Sequence, residues 1–177
     1  MKMKNAIALE LILALGLTMN AGVARGADAA KPAYIGSAKC KMCHISQHKT
    51  WTASSHATTF ARLKPEEAKK AECVSCHVTG FVAATTTFNE EGVGCESCHG
   101  PGSIYGAKDV MNKEKFKADP EGMRKIWKAG GLVTPVEATC KGCHNEKSPN
   151  YKPFDFAKAS AAIKHWKDKV AAPPAAK

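Results

Sequence analysis

The stretch Gly92-Val93-Gly94-Cys95-Glu96-Ser97-Cys98-His99-Gly100-Pro101-Gly102 decides how this chain reads. Two cysteines stand two residues apart and a histidine follows at once, with glycines on both sides. C-x-x-C-H is the attachment pattern of c-type haem. The two thiols add to the vinyl groups of the porphyrin, and the adjacent histidine comes to lie beneath the ring, where its imidazole takes the proximal position on iron. Working outward, the pattern recurs as Cys73-Val-Ser-Cys76-His77, Cys40-Lys-Met-Cys43-His44 and Cys140-Lys-Gly-Cys143-His144. All eight cysteines of the chain fall in these four copies.

Two other uses of paired cysteines compete with this one. A disulfide framework is natural in an exported protein, but it asks for no particular residue after each second cysteine. Histidine makes up about 4% of the chain, so four such matches by chance have odds on the order of one in several hundred thousand. Zinc is the second alternative. Cys73-x-x-Cys76 and Cys95-x-x-Cys98 have a spacing that suits a zinc ribbon. Zinc does not explain the histidine after every pair. The sequence therefore predicts four covalently bound haem c, held through Cys40, Cys43, Cys73, Cys76, Cys95, Cys98, Cys140 and Cys143. The proximal iron ligands are His44, His77, His99 and His144.

Residues 1–26 read as a signal peptide. Lys2 and Lys4 form a positive start, Ala6 to Val23 is apolar apart from Glu10 and Asn20, and Ala24-Arg25-Gly26 offers small residues before a cut at Ala27. Glu10 and the short run argue against a membrane anchor. No integral membrane segment follows the expected cleavage, and export removes most nucleic-acid partners. The expected division is a signal peptide at 1–26, a tetrahaem domain at 27–170 and a disordered tail at 171–177.

Cleavage leaves 151 residues, roughly one haem per 38. Only 7% of the chain is aromatic, so the flat apolar macrocycles have to supply much of the core. The fold class that follows is mainly α with little sheet, a wrapper of short helices and loops. The formal charge of +10 falls to +8 once Lys2, Lys4, Arg25 and Glu10 are gone. Eight propionates bring about −8, so many lysines are expected to neutralise haem rather than form a basic patch.

Local patterns predict a helix from Ser46 to about Leu63, a second from Pro65 into Cys73, and a hairpin over residues 80–94 turning at Asn89 to Gly92. A tight turn is expected at Gly100-Pro101-Gly102. Asp119-Pro120-Glu121 opens a helix that ends at Gly130-Gly131, and a last helix spans Phe156 to Lys169.

Four proximal histidines leave three others, His48, His56 and His165, to close the far side of four irons. His56 and His165 are distal candidates. His48 lies four residues after His44, so on a helix it shares that residue's side and cannot reach the opposite face of the same haem. It could serve another haem, in this chain or in a neighbouring subunit. Met111, soon after the Gly-Pro-Gly turn, is a fourth candidate, and a methionine ligand would raise the potential.

At these residues the chain resembles the cytochrome c-554 family of exported multihaem cytochromes. The resemblance rests on Tyr34 to His44 with Trp51 and Ser55-His56-Ala57, on Cys73 to Phe81, and most specifically on Gly92 to Gly102. It implies four haems stacked in closely spaced pairs inside a helical wrapper, and single-electron transfer between exported redox proteins. It further implies that His56 serves the haem at His99 and His165 the haem at His144, and that the haem at His77 is five-coordinate. In better-known members a histidine after the Gly-Pro-Gly turn ligates the first haem. Here Ser103 to Met111 has none, which leaves Met111, Tyr105 or His48.

The leading expectation is a non-enzymatic electron carrier, periplasmic or, if it crosses an outer membrane, extracellular. The alternatives are a subunit of an extracellular cytochrome filament or other homo-oligomer, and a reductase of nitrogen oxides at an open haem.

Overall fold

The computed structural model describes residues 30–165, and from Lys31 onward the chain belongs to one compact unit. The expected signal peptide at 1–26, the tail at 171–177 and the far end of the last helix lie outside the described residues. The elements are α1 Ser37–Lys41, α2 Ile45–Thr52, a 3-10 turn Phe60–Arg62, α3 Ala71–Val74, β1 Val78–Thr79, β2 Glu90–Glu91, α4 Cys95–His99, α5 Lys113–Ala118, α6 Pro120–Ala129, α7 Glu137–Lys141 and α8 Phe156–Ile163. The class is mainly α with one two-stranded antiparallel sheet. None of the described helices is long and apolar enough to cross a membrane.

The short helices sit where the motifs require a turn. The amide of His44 bonds the Cys40 carbonyl at 2.9 Å, and that of His144 bonds the Cys140 carbonyl at 2.9 Å. One helical turn therefore brings both sulfurs and the imidazole of a motif toward one side. Helices this short have little stability of their own, so tertiary anchors have to hold them.

The polypeptide core is small. Val74, Val78, Tyr105 and Met123 are its buried hydrophobic side chains. Three buried polar side chains, Ser37, Thr79 and Glu96, share the interior with them. Thr79 shows how such a group is used. Its hydroxyl donates to the Gly92 carbonyl at 2.9 Å, accepts from the Gly94 amide at 2.7 Å and lies 2.8 Å from the Ser97 hydroxyl. β1 is thereby knotted to the entry of α4.

Three local expectations change. The helix expected from Ser46 to Leu63 breaks at Thr52, because Ser54 and Thr59 hydroxyls bond back to the Trp51 and His56 carbonyls. The His56 carbonyl also accepts the Val93 amide at 2.9 Å, which commits it to a tertiary contact. The Pro65 segment is a turn, tied by the Lys64 amide to the Glu67 carboxylate at 2.8 Å, and only Ala71–Val74 is helical before the second motif. The hairpin exists, but Val78 pairs with Glu91 and Thr79 with Glu90, with a further bridge between Val82 and Thr87. Its tip lies at residues 83–86, where Thr86 has φ 53°, so Asn89 to Gly92 forms the return strand and not the turn.

Other expectations match. Gly100 turns with φ 79°. Asp119 caps α6 through the Gly122 amide at 2.8 Å, with Pro120 in the first turn. α5 was not foreseen. Asn112 caps it by accepting from Glu114 and Lys115 amides at 3.0 Å each, and Phe116 stacks on Trp127 of α6 at 5.0 Å. α8 starts as expected, on the Asp155 cap, and among the described residues ends at Ile163, where Lys164 turns extended.

Candidate haem-binding site

No disulfide joins any of the eight cysteines, and the motifs stand near one another in the fold. The hydrogen bond between the Cys40 and Cys95 thiols pushes Cys40 above the ordinary range, with burial adding to it, and pulls Cys95 below that range against the opposing effect of burial. Burial raises the Cys143 thiol, and Cys76 beside it raises it further through charge and a hydrogen bond. Burial also raises Cys98, and the like groups Cys140 and Cys95 add to the shift. The first motif thus packs against the third, and the fourth lies within electrostatic reach of both the second and the third. This arrangement is invisible in the sequence, because every one of these approaches spans many residues.

The imidazoles are prepared as ligands. His77 donates from Nδ1 to the Thr59 carbonyl at 2.7 Å and His99 to the Val133 carbonyl at 3.2 Å. His165 does the same to the Ile163 carbonyl at 3.0 Å. A carbonyl only accepts, so the proton sits on Nδ1 and the Nε2 lone pair is left to face a metal. Burial lowers His56, His99 and His44 below the usual imidazole range, with the neighbours His144 for the first and His165 for the other two adding to it. Neutral imidazole is the ligating form, so this shift favours binding of iron.

Two pairs of rings have the spacing of axial partners. His56 and His144 lie 6.1 Å apart between centroids, and His99 and His165 also 6.1 Å. Two imidazoles on opposite faces of one metal, each bonded at about 2.0 Å, place their centroids about 6 Å apart. The donor sets therefore fit haem. The small polypeptide core fits it as well, since the group brings its own apolar faces. The partners differ from those the resemblance implies. His56 stands beside the histidine of the fourth motif and His165 beside that of the third.

The remaining candidates are spread out. His44 caps α2 with non-helical backbone, φ −109° and ψ 51°, so the helical argument that put His48 on its side applies only from Ile45 onward. His48 packs edge-on against Trp51 at 5.1 Å with Nδ1 3.2 Å from the Thr52 hydroxyl, on the outer side of α2. Tyr105 donates its hydroxyl to the Gly100 carbonyl at 2.9 Å, and burial raises it well above the ordinary phenol range. Met111 is half-buried in the turn before α5, its amide on the Ala107 carbonyl at 2.7 Å. Among the described residues no hydrogen bond or ring contact joins Met111 to a motif histidine, and no second imidazole stacks against His77. His144 has an aromatic floor instead, Phe154 stacked at 4.7 Å beside a cavity of about 280 Å³.

Sequence reading missed Glu96, which lies inside the third motif. It is 1% exposed and its two carboxylate oxygens accept from the amides of Ile35 at 3.0 and 3.1 Å, Gly36 at 2.7 Å and Gly102 at 2.7 Å. Glu90 holds the same lead-in, accepting from the Ser37 amide at 2.9 Å and hydroxyl at 2.6 Å. The available signal was a carboxylate within a glycine-rich run, where bare amides cluster.

Comparison with known proteins agrees with this geometry. Residues 39–100 match the family described as cytochrome c554 and c-prime. Cytochrome c-554 of Nitrosomonas europaea is 32% identical over 165 residues, covering 80% of this chain and 69% of that protein. The chain belongs to the cytochrome c-554 family. The solved reduced state of cytochrome c554 from Nitrosomonas europaea shares its fold with a TM-score of 0.50 at 27% identity, over 75% of this chain and 79% of that one. Membership makes this a c-type cytochrome of electron transfer that binds haem c covalently. Within the cytochrome c-554 family, the match at 39–100 takes in the first three motifs, and the fourth lies beyond it.

Proposed function

We propose that the chain carries single electrons between exported redox proteins in the periplasm, through four haem c groups held by the eight motif cysteines. When bound, each haem supplies an iron that gains or loses one electron. The protein's part is to hold these groups in series. The observation that carries this reading is the close packing of the motif segments: the Cys95 amide of the third motif donates to the Ser37 hydroxyl just ahead of the first at 3.1 Å, and the rings of His56 and His144, and of His99 and His165, lie 6.1 Å apart. Such packing shortens every hop between neighbouring groups. His44, His77, His99 and His144 are the proximal ligands. The ring spacing supports His56 as the second ligand at His144 and His165 as that at His99.

Pyridine haemochrome quantitation should give four haems per chain, and the mass of the secreted protein should correspond to a start at Ala27. Fewer haems, or haems that stay unchanged on titration with dithionite and ferricyanide, would overturn the proposal. Electron paramagnetic resonance of the oxidised protein should show low-spin signals lost one haem at a time in His56→Ala and His165→Ala.

A second reading draws on His77, whose side chain is anchored by Thr59 but faces no second imidazole among the described residues. An iron left open there would suit reduction of a nitrogen oxide. A high-spin signal with turnover of nitric oxide favours that activity, and an all-low-spin spectrum removes it.

A further inference from the structure

We propose that the outer face of α1 and α2 is the docking surface for an acidic one-electron carrier protein, an inference that rests on the electron-transfer reading above. Met42 is 72% exposed and Ile45 68%, unusual for side chains of this size. They flank His44, one between the cysteines of the first motif and the other directly after its histidine. Beside them a surface cavity of about 420 Å³ is lined by Lys41, Ile45, His48, Lys49, Thr52 and Ala53. Ile45, His48, Lys49 and Thr52 recur at helical spacing, so they share one side of α2. Trp51 faces the body of the protein, its indole N–H donating to the Val93 carbonyl at 2.8 Å.

Charge says what covers this apolar centre. From Ala29 to Pro65 the chain has no aspartate or glutamate, and it has Lys31, Lys39, Lys41, Lys49, Arg62 and Lys64. The acids that approach this segment, Glu90 and Glu96, are turned inward onto Ser37, Ile35 and Gly36. Among the described residues no ion pair engages Lys39, Lys41 or Lys49. An apolar centre flanked by Lys41 and Lys49, which make no ion pair among the described residues, matches the layout of transient interfaces, in which rim charge steers encounter and a small desolvated patch holds it. The complementary partner is a protein with a carboxylate-rimmed apolar patch. One electron leaves the cytochrome and one reduces the acceptor, with no bond made and no proton moved.

The test uses the haem-loaded ferrous protein and an acidic blue-copper protein in the cupric state. Carbodiimide cross-linking should join the two through Lys41 and Lys49. Stopped-flow reduction of the copper should slow with salt, and Lys41→Gln/Lys49→Gln should slow it about tenfold at low ionic strength while converging with wild type at high salt. Lys125→Gln, on α6 and already paired with Glu121, should behave as wild type. Unchanged cross-linking and salt slope in the double variant overturn the proposal. So does a shift of haem midpoint potential without loss of cross-linking, which would assign these lysines to the propionates. If wild type reduces neither the copper protein nor ferricyanide, the electron-transfer reading itself has failed, and the docking surface falls with it.

Discussion

Glu96→Ala isolates the clamp that holds the first and third motifs together. Its carboxylate is 1% exposed and accepts from three backbone amides, those of Ile35, Gly36 and Gly102. Truncation leaves all three donors without a partner. An orphaned buried donor costs about 1–3 kcal/mol, with the lower end applying where water can enter. Gly102 is fully enclosed, whereas Ile35 and Gly36 are half-buried, so the sum comes to about 3–5 kcal/mol, a large share of the roughly 5–15 kcal/mol that a domain has in total. Glu96→Gln keeps one acceptor oxygen but turns an NH₂ group toward an N–H donor, and should lose about 1–3 kcal/mol. Guanidinium unfolding of the haem-loaded protein, followed by far-ultraviolet circular dichroism, reads these differences as shifts in midpoint at constant slope. If both variants stay within about 0.5 kcal/mol of wild type, the clamp is not structural and the reasoning fails.

Gly92→Ala should lose about 2–4 kcal/mol in the same assay, since Gly92 has φ +83° and a Cβ there would come within 2.6 Å of the Ala57 carbonyl oxygen. Trp51→Phe should lose about 1 kcal/mol, by removing the 2.8 Å bond to Val93 while keeping most of the packing. His165→Ala should turn one low-spin haem high-spin and change the potential of the haem at His99 more than that of the haem at His77, as measured by spectroelectrochemistry. His48→Ala should leave the resonance spectrum of the monomer unchanged, because its ring packs on Trp51 and not on a motif histidine.

Much of this protein was legible because its chemistry is local. A C-x-x-C-H pentapeptide needs one helical turn and nothing else to present two sulfurs and a nitrogen, so the c-type cytochrome class and the short-helix wrapper followed from Gly92 to Gly102 and its three repeats. Caps read well for the same reason. Asp119 bonds the Gly122 amide three residues on. The errors came where backbone groups were claimed from far away. α2 stops at Thr52 because Val93 takes the His56 carbonyl, and the hairpin turns at residues 83–86 because Asn89 to Gly92 are already engaged with His77 and Thr79.

By itself, then, the sequence determined that the chain is a c-type cytochrome with four C-x-x-C-H motifs, and that three histidines stand outside them. Tertiary structure alone decided which motifs lie close together, which histidine rings face each other, and that a buried glutamate ties the lead-in to the third motif. Covalent attachment is fixed by neighbours along the chain, whereas an axial pair or a carboxylate clamp is fixed by distance in space. His56 and His144 are 88 residues apart in the chain and 6.1 Å apart in the fold.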